Sequence, residues 1–299
     1  MPNITENIIT AIDYMEEHLF DGPDLGTVAD AVHYSKYHLH RMFVNEVGIT
    51  PHDYIQRRQL TEAAKFLVYS ERPIMEVALL AGYGSQQAFT SAFKEMYKKT
   101  PARYRGEAVF YPLQLRYVLN QNPEKRLKTV SWKQRIACAT VEDVPGCMDL
   151  ARLAVDGFPC LDEALYAKRL RESIDRKEAL ILRDADTVAG LMAVCRGSGS
   201  IDFLGVHPQY RHQGIEAAFI QKIAEETANT GTKVTVTTFR EGDKADTGYR
   251  KLFKELGFVE AEPLIEFGYP TQRFILQKEG CGMNGEAYTN DGKSAGPGF

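Results

Sequence analysis

The feature that most constrains this chain is a helix-turn-helix pattern written twice. Ser35, Leu39, Phe43, Thr50, Pro51 and Tyr54 recur 50 residues later as Ser85, Phe89, Phe93, Thr100, Pro101 and Tyr104. A capping serine, two apolar positions one helical turn apart and a closing Thr, Pro, Tyr rarely repeat together by accident. The first helix of each copy carries its own apolar stripe: Leu25, Val28, Ala29 and Val32 in one, Ile74, Val77, Ala78 and Ala81 in the other, at an offset of 49. The extra residue falls at Gly84, near Gly82, in a turn where glycine tolerates positive φ. The second helices bury Leu39, Met42, Phe43 and Val47, and Phe89, Ala92, Phe93 and Tyr97, at helical spacing.

What remains on those helices points outward. The first presents Lys36, Tyr37, His40, Arg41 and Val44, and the second Gln86, Gln87, Thr90, Ser91 and Lys94. This is groove-reading chemistry: Arg forks onto guanine, Gln pairs with the adenine edge, and Tyr or Thr offers a hydroxyl or apolar contact. For any single residue, a solvated polar face is the alternative reading. Between the copies, residues 50–70 read as one helix with Thr50 as N-cap, Pro51 in its first turn and Asp53 near the positive end of its dipole. Its span of about 30 Å approaches the roughly 34 Å that separates successive major-groove segments on one face of DNA. One chain can therefore read both segments.

Residues 4–105 resemble the AraC/XylS family of transcription regulators, within it the two-motif activators of the MarA and Rob kind. The match is carried by Tyr34, Ser35, Lys36, Tyr37, His38, Leu39, Arg41, Met42 and Phe43, then by Gly82, Tyr83, Ser85, Gln86, Gln87, Phe93, Lys94, Thr100, Pro101, Tyr104 and Arg105. The resemblance implies double-stranded DNA as partner, with Tyr37, His40, Arg41, Gln86, Gln87 and Thr90 reading bases. His40 stands where the nearest relatives are expected to have glutamine, which puts one step of the target sequence apart from theirs.

Charge agrees once it is resolved along the chain. The whole protein carries −4, and residues 1–30 hold seven acids and no Lys or Arg. Residues 31–105 hold eleven Lys or Arg against six Asp or Glu, a local +5 that suits phosphate. The N-terminus opens into an amphipathic helix (Ile8, Ile12, Met15, Leu19), without a signal segment, and no apolar run is long enough to span a bilayer. A cytoplasmic protein without membrane partner is expected. Cys138, Cys147, Cys160, Cys195 and Cys281 have no paired spacing, so they read as reduced thiols and no metal site is expected.

The sequence predicts four segments: an all-α DNA-binding domain over 1–105, a linker over 106–134, an α/β domain over 135–278 and a disordered tail over 279–299, where six glycines gather. Linker residues such as Arg116 either touch phosphate or are simply solvated. In the second domain, strands are expected at 136–141, 179–183, 188–195, 201–206, 234–239 and 274–277, and helices at 148–156, 161–175, 215–229 and 247–256. At its centre a strand runs from Ile201 to Val206 and feeds, through His207 to Gly214, a helix N-terminus that offers backbone N–H groups to an anion.

This region resembles the GNAT acyltransferase superfamily, through Arg211, His212, Gln213, Gly214 and Ile215 and through the later run Leu252 to Phe258. The resemblance implies a mixed central sheet, acetyl-CoA or another acyl-CoA held by Leu204, Val206, Arg211, His212, Gln213, Gly214, Ile215 and Glu216, and backbone N–H groups of Leu204 and Val206 at the oxyanion. Two residues depart from the family pattern. Glu216 replaces Gly or Ala, and at about 5 Å a carboxylate would repel each pyrophosphate charge by roughly 3 kcal/mol at an effective dielectric near 20. Phe253 replaces the tyrosine that protonates the leaving thiolate, leaving Tyr249, one turn earlier, as substitute. Asp202 is the candidate base. The expectation is a DNA-binding regulator whose second domain binds acyl-CoA or a small-molecule effector. The alternatives are an active N-acetyltransferase acting on a small amine, or a scaffold for RNA polymerase or another protein.

Overall fold

The computed structural model describes residues 4–119, 132–154, 163–184, 187–211, 213–228, 230–266 and 268–277. The expected tail, Cys160, Cys281 and the polar stretch Asn120 to Arg126 lie outside the described residues. The helical domain comprises α1 (Ile4–Glu17), α2 (Leu25–Ala31), α3 (Lys36–Val47), α4 (Pro51–Tyr69), α5 (Ile74–Leu80), α6 (Gln86–Tyr97) and α7 (Pro101–Glu107). The repeated residues set its boundaries. Ser35, Thr50, Ser85 and Thr100 each sit in extended backbone and accept the N–H of the residue three positions on. Gly48 ends α3 at φ 82°, in the left-handed region that glycine enters without strain.

Each unit has its own core. The first gathers Ile8, Ile12 and Met15 of α1 around Val28, Leu39, Phe43 and Tyr54; the second gathers Val77, Phe89, Phe93, Tyr97 and Tyr104. Residues 110–119, which the sequence assigns to a linker, are packed against both: Tyr111 and Leu113 are buried in the second core and Tyr117 in the first. Thr61 Oγ1 of α4 accepts the N–H groups of Leu113 and Gln114, both at 3.1 Å. Arg116 pairs with Asp13 at 2.6 Å, so this candidate phosphate contact is engaged by an acid of the N-terminal segment.

The second domain is a seven-stranded mixed sheet in the order β1-β2-β3-β4-β5-β7-β6, flanked by helices. Its elements are α8 (Trp132–Arg135), β1 (Ala137–Cys138), α9 (Val144–Ala154), α10 (Glu163–Asp175), β2 (Ala179–Asp184), β3 (Thr187–Cys195), β4 (Ser200–Val206), α11 (Ile215–Thr227), β5 (Thr235–Phe239), α12 (Tyr249–Glu255), β6 (Phe258–Glu266) and β7 (Tyr269–Leu276). Among the described residues only β4 and β5 pair in parallel; the other neighbours are antiparallel. Phe219 and Ile223 of α11 pack on Met192 and Val206 of the sheet, and Cys147 and Leu150 of α9 are buried with Ile181 and Leu191 in a separate core cluster. Helix α11 lies so close to β3 that a Cβ on Gly190 would fall 2.7 Å from Phe219.

Strand β7 begins five residues earlier than expected and α8 was not expected; three further differences have a local physical reason. Strand β6 was not foreseen because Pro263 interrupts its pattern; an edge strand accommodates it at a register shift between Glu260 and Pro263. Strand β1 is short because Val141–Asp143 turns into a 3-10 segment capped by Thr140 and Asp143. Helix α9 starts earlier, with Pro145 in its first turn, where proline loses no hydrogen bond.

Candidate functional site

The outward faces of α3 and α6 are built by packing what lies beneath them. Leu39 and Phe43, and Phe89 and Phe93, are fully buried, which turns the intervening positions to solvent. Lys36, Tyr37, His40, Arg41, Gln86, Gln87 and Lys94 are exposed, Tyr37 at 76%. The Arg41 guanidinium lies 5.9 Å from the centroid of the Tyr37 ring, holding two candidate base-readers together. Lys36 folds back instead: its Cε and Nζ lie 2.7 Å from where a Cβ on Gly26 would be, beside Asp24. The Asp24 carboxyl is held below its usual range by the backbone N–H groups of Thr27 and Gly26, with Lys36 adding to this. Thr90 is half-buried, as is Val44.

The second candidate site lies where β4 and β5 part. Their parallel pairing consists of Ser200↔Thr235 and Ile201↔Val236, and β4 continues to Val206 without β5. His207 donates its N–H to Ala189 on β3, and alternation along a strand then directs the N–H groups of Leu204 and Val206 to the opposite side, into the gap. Asp202 is exposed and is the extra residue of a bulge, because Ala193↔Phe203 is followed by Val194↔Ile201. Bulges re-aim side chains beside active sites. The Ser200 hydroxyl donates to Asp202 at 3.0 Å.

From the gap the chain turns through the 3-10 segment Pro208–Tyr210 into α11. Gly214 caps that helix at φ 77° with open space where a side chain would stand. The Trp132 indole fixes the loop by donating to the Gln213 carbonyl at 2.8 Å, and the Tyr210 hydroxyl donates to Asp184 at 2.8 Å. Leu204 and Val206 thus end β4 beside the loop that carries Arg211, Gln213 and Gly214 to Ile215, the first residue of α11; Val206 and Ile215 are buried in the core. His212 lies outside the described residues. Glu216 is 8% exposed in the first turn of α11. Tyr249 is half-buried against the same core as Leu204; Phe253 is buried edge-on to Phe258 at 5.4 Å.

The sequence did not reveal that the two domains share contacts. Arg211 turns toward the first unit, its Nη1 3.3 Å from the Val47 carbonyl at the end of α3 and 3.5 Å from the Tyr117 hydroxyl. Gln209 Nε2 lies 3.5 Å from Glu46 Oε1. On the second unit, Lys98 at the end of α6 pairs with Asp243 at 2.7 Å, and buried Arg57 of α4 donates to the Ala245 carbonyl at 2.6 Å. The Tyr269 hydroxyl also donates to Asp243; burial first, then the Asp243 charge, holds that phenol far above its usual range.

Among the described residues no group of His, Cys, Asp or Glu is arranged to hold a metal, and no helix is long and apolar enough to cross a membrane. Cys138, Cys147 and Cys195 carry free thiols; burial pushes that of Cys147 up to about 12.

Comparison with known proteins assigns both regions. Residues 28–107 match a helix-turn-helix domain model and residues 149–269 an acetyltransferase (GNAT) domain model. The chain is 37% identical over 105 residues to the probable transcription factor PqrA of Proteus vulgaris, covering 34% of this chain and 86% of that protein. It is 39% identical over 98 residues to the regulatory protein SoxS of Salmonella typhimurium, covering 33% and 92%. It is 38% identical over 94 residues to the uncharacterized HTH-type transcriptional regulator YbfP of Bacillus subtilis, covering 31% of this chain and spanning only 32% of that relative's length. The repeated caps, the paired cores and these matches agree: the chain belongs to the AraC-type DNA-binding transcription regulators and carries a GNAT domain behind its two helix-turn-helix units.

Proposed function

We propose that this regulator reads an asymmetric DNA site with α3 and α6 and that its GNAT domain binds an acyl-CoA as effector. The observation that carries the second half is the early end of β4–β5 pairing, which opens a slot leading to the N-terminus of α11. The residues fit such a ligand. Backbone N–H groups in the first turn of α11 have no acceptor within the helix and would face a pyrophosphate, with Gly214 leaving room for it. The Leu204 and Val206 N–H groups would hold the amide arm or the thioester oxygen. When bound, acyl-CoA supplies an activated acyl group.

Effector binding would reach the DNA-binding domain directly, because Arg211 stands between the α11 N-terminus and the end of α3. Drawing Arg211 toward a phosphate takes it from the Val47 carbonyl. On promoter DNA, RNA polymerase is the expected protein partner. Calorimetric titration of the full chain with acetyl-CoA, with and without its DNA site, tests the reading: binding that shifts DNA affinity supports it. Glu216→Gly should tighten binding by removing a carboxylate from the pyrophosphate side. Unchanged affinity in that variant would mean that Glu216 points away from the ligand.

A second reading, acyl transfer to a small amine, is favoured by Asp202 alone, exposed on a bulge of β4 where it can take a proton from an amine. Tyr249 is the remaining proton donor to the departing thiolate. Transfer of labelled acetyl groups to an amine panel, abolished by Asp202→Asn, identifies this activity; absence of transfer in the unmodified protein excludes it.

A further inference from the structure

The GNAT domain holds both helix-turn-helix units, each at the end of its reading helix. On the first, Gln209 and Arg211 meet Glu46 and Val47 at the C-terminus of α3. On the second, Lys98, the residue that ends α6 in left-handed backbone, is paired with Asp243. The carboxylate of that pair is buried: the Asp243 side chain is 4% exposed, against 23% for Lys98, and it also accepts the Ala245 N–H at 2.9 Å and the Tyr269 hydroxyl at 3.0 Å. Ala245 is itself a buried member of the second unit's core, with Phe239 packed against it.

The loop that makes these contacts stands between the reading helices. Val44 of α3 and Ala92 of α6 line one cleft of about 470 Å³ together with Lys244, Asp246 and Thr247. Without the GNAT domain, the segments joining the units are α4 and the extended stretch 110–119. With it, a third connection bridges the two reading heads at the ends of the helices that enter DNA.

We infer that the GNAT domain is a splint that fixes the separation and relative angle of the reading helices, so that Asp243, Lys98 and Gln209 are positioning residues for the spacing of the two-part DNA site. Inserting one base pair between half-sites moves them apart by about 3.4 Å and rotates one against the other by about 35°. Heads joined loosely can follow that change, whereas splinted heads cannot.

The experiment measures binding of the full chain to duplexes that carry its selected site with none, one or two base pairs inserted between the halves, and to a duplex with a single half-site. The unmodified chain should lose on the order of tenfold in affinity or more for one inserted base pair. Asp243→Asn combined with Gln209→Ala should reduce that loss to about threefold or less, with single half-site binding unchanged. Lys98→Met breaks the same pair from the DNA-binding side and should give the same relaxed spacing, which serves if the first variant does not fold. A variant that weakens binding equally at every spacing, or keeps the full penalty, overturns the proposal, and so does an unmodified chain indifferent to spacing.

Discussion

The two helix-turn-helix units share a motif and differ in how their cores are closed. In the first, α1 covers the core and a nearly buried ion pair ties it to α4: Arg58 meets Glu16 through two hydrogen bonds, both 2.8 Å, and the Tyr54 hydroxyl donates to the same carboxylate at 2.6 Å. The second has aromatic rings instead. Phe93 stacks on Tyr97 at 4.3 Å, with Tyr104 edge-on to both, and Tyr111 and Ala245 complete the enclosure from outside the unit. A repeated motif thus sets helices and reading faces, while the segment that seals each core is particular to its surroundings.

This contrast can be broken by substitutions at matching depth. Arg58→Met should cost about 3–5 kcal/mol, because it strands the Glu16 carboxylate in a nearly dry site. It should also change the response to acid. Burial opposes ionisation of Glu16, but the hydrogen bonds and charge of Arg58 outweigh it and hold the folded carboxyl below its ordinary value near 4.5. Its contribution is therefore complete above that pH and is lost as pH falls through the folded value. Urea melts between pH 7 and pH 3 should show this loss in the unmodified chain and a smaller one in Arg58→Met. Phe93→Ala in the second unit should cost a similar 3–5 kcal/mol through the cavity it leaves, with no new pH dependence. A Phe93→Ala chain more acid-sensitive than the unmodified one would show that the units are not sealed independently.

Smaller effects sharpen the comparison at the reading faces. Arg41→Ala in the first unit and Gln86→Ala or Gln87→Ala in the second should each cost about 1–3 kcal/mol on the specific site and much less on random DNA. Equal losses on both would assign these side chains to phosphate. The smallest difference belongs to the caps. Ser35→Ala and Ser85→Ala should each cost about 1 kcal/mol in thermal melts. A negligible cost at Ser85 alone would mean that α6 is held by its aromatic face without its cap.

How much of this was legible follows from the range of the information. The caps at Ser35, Thr50, Ser85 and Thr100 act within three residues, and α4 was readable from Thr50 and Pro51 to its end for the same reason. The strand from Ile201 to Val206 and the turn at Gly214 were readable because their apolar run and glycine are local signals. Strand β6 was not: its pattern is broken by Pro263, and what stabilises it is β7, which no residue of β6 announces. The bulge at Asp202 was likewise invisible, since only pairing against Ala193 and Val194 defines it.

The sequence by itself determined the helices α3 and α6, the four capping positions, the α/β character of the second domain and the chemistry available on each exposed face, because helix capping and burial periodicity are decided by neighbours along the chain. Only the tertiary structure decided that Arg58 is sealed against Glu16, that Tyr111 and Tyr117 belong to the helical cores, and that Asp243 and Gln209 reach the two reading heads. Those contacts join residues that lie from 42 to 163 positions apart, with only Tyr111 closer to the rings it covers. Nothing in a local pattern states which buried charge will meet which, because that is settled by how two separately formed surfaces come to fit.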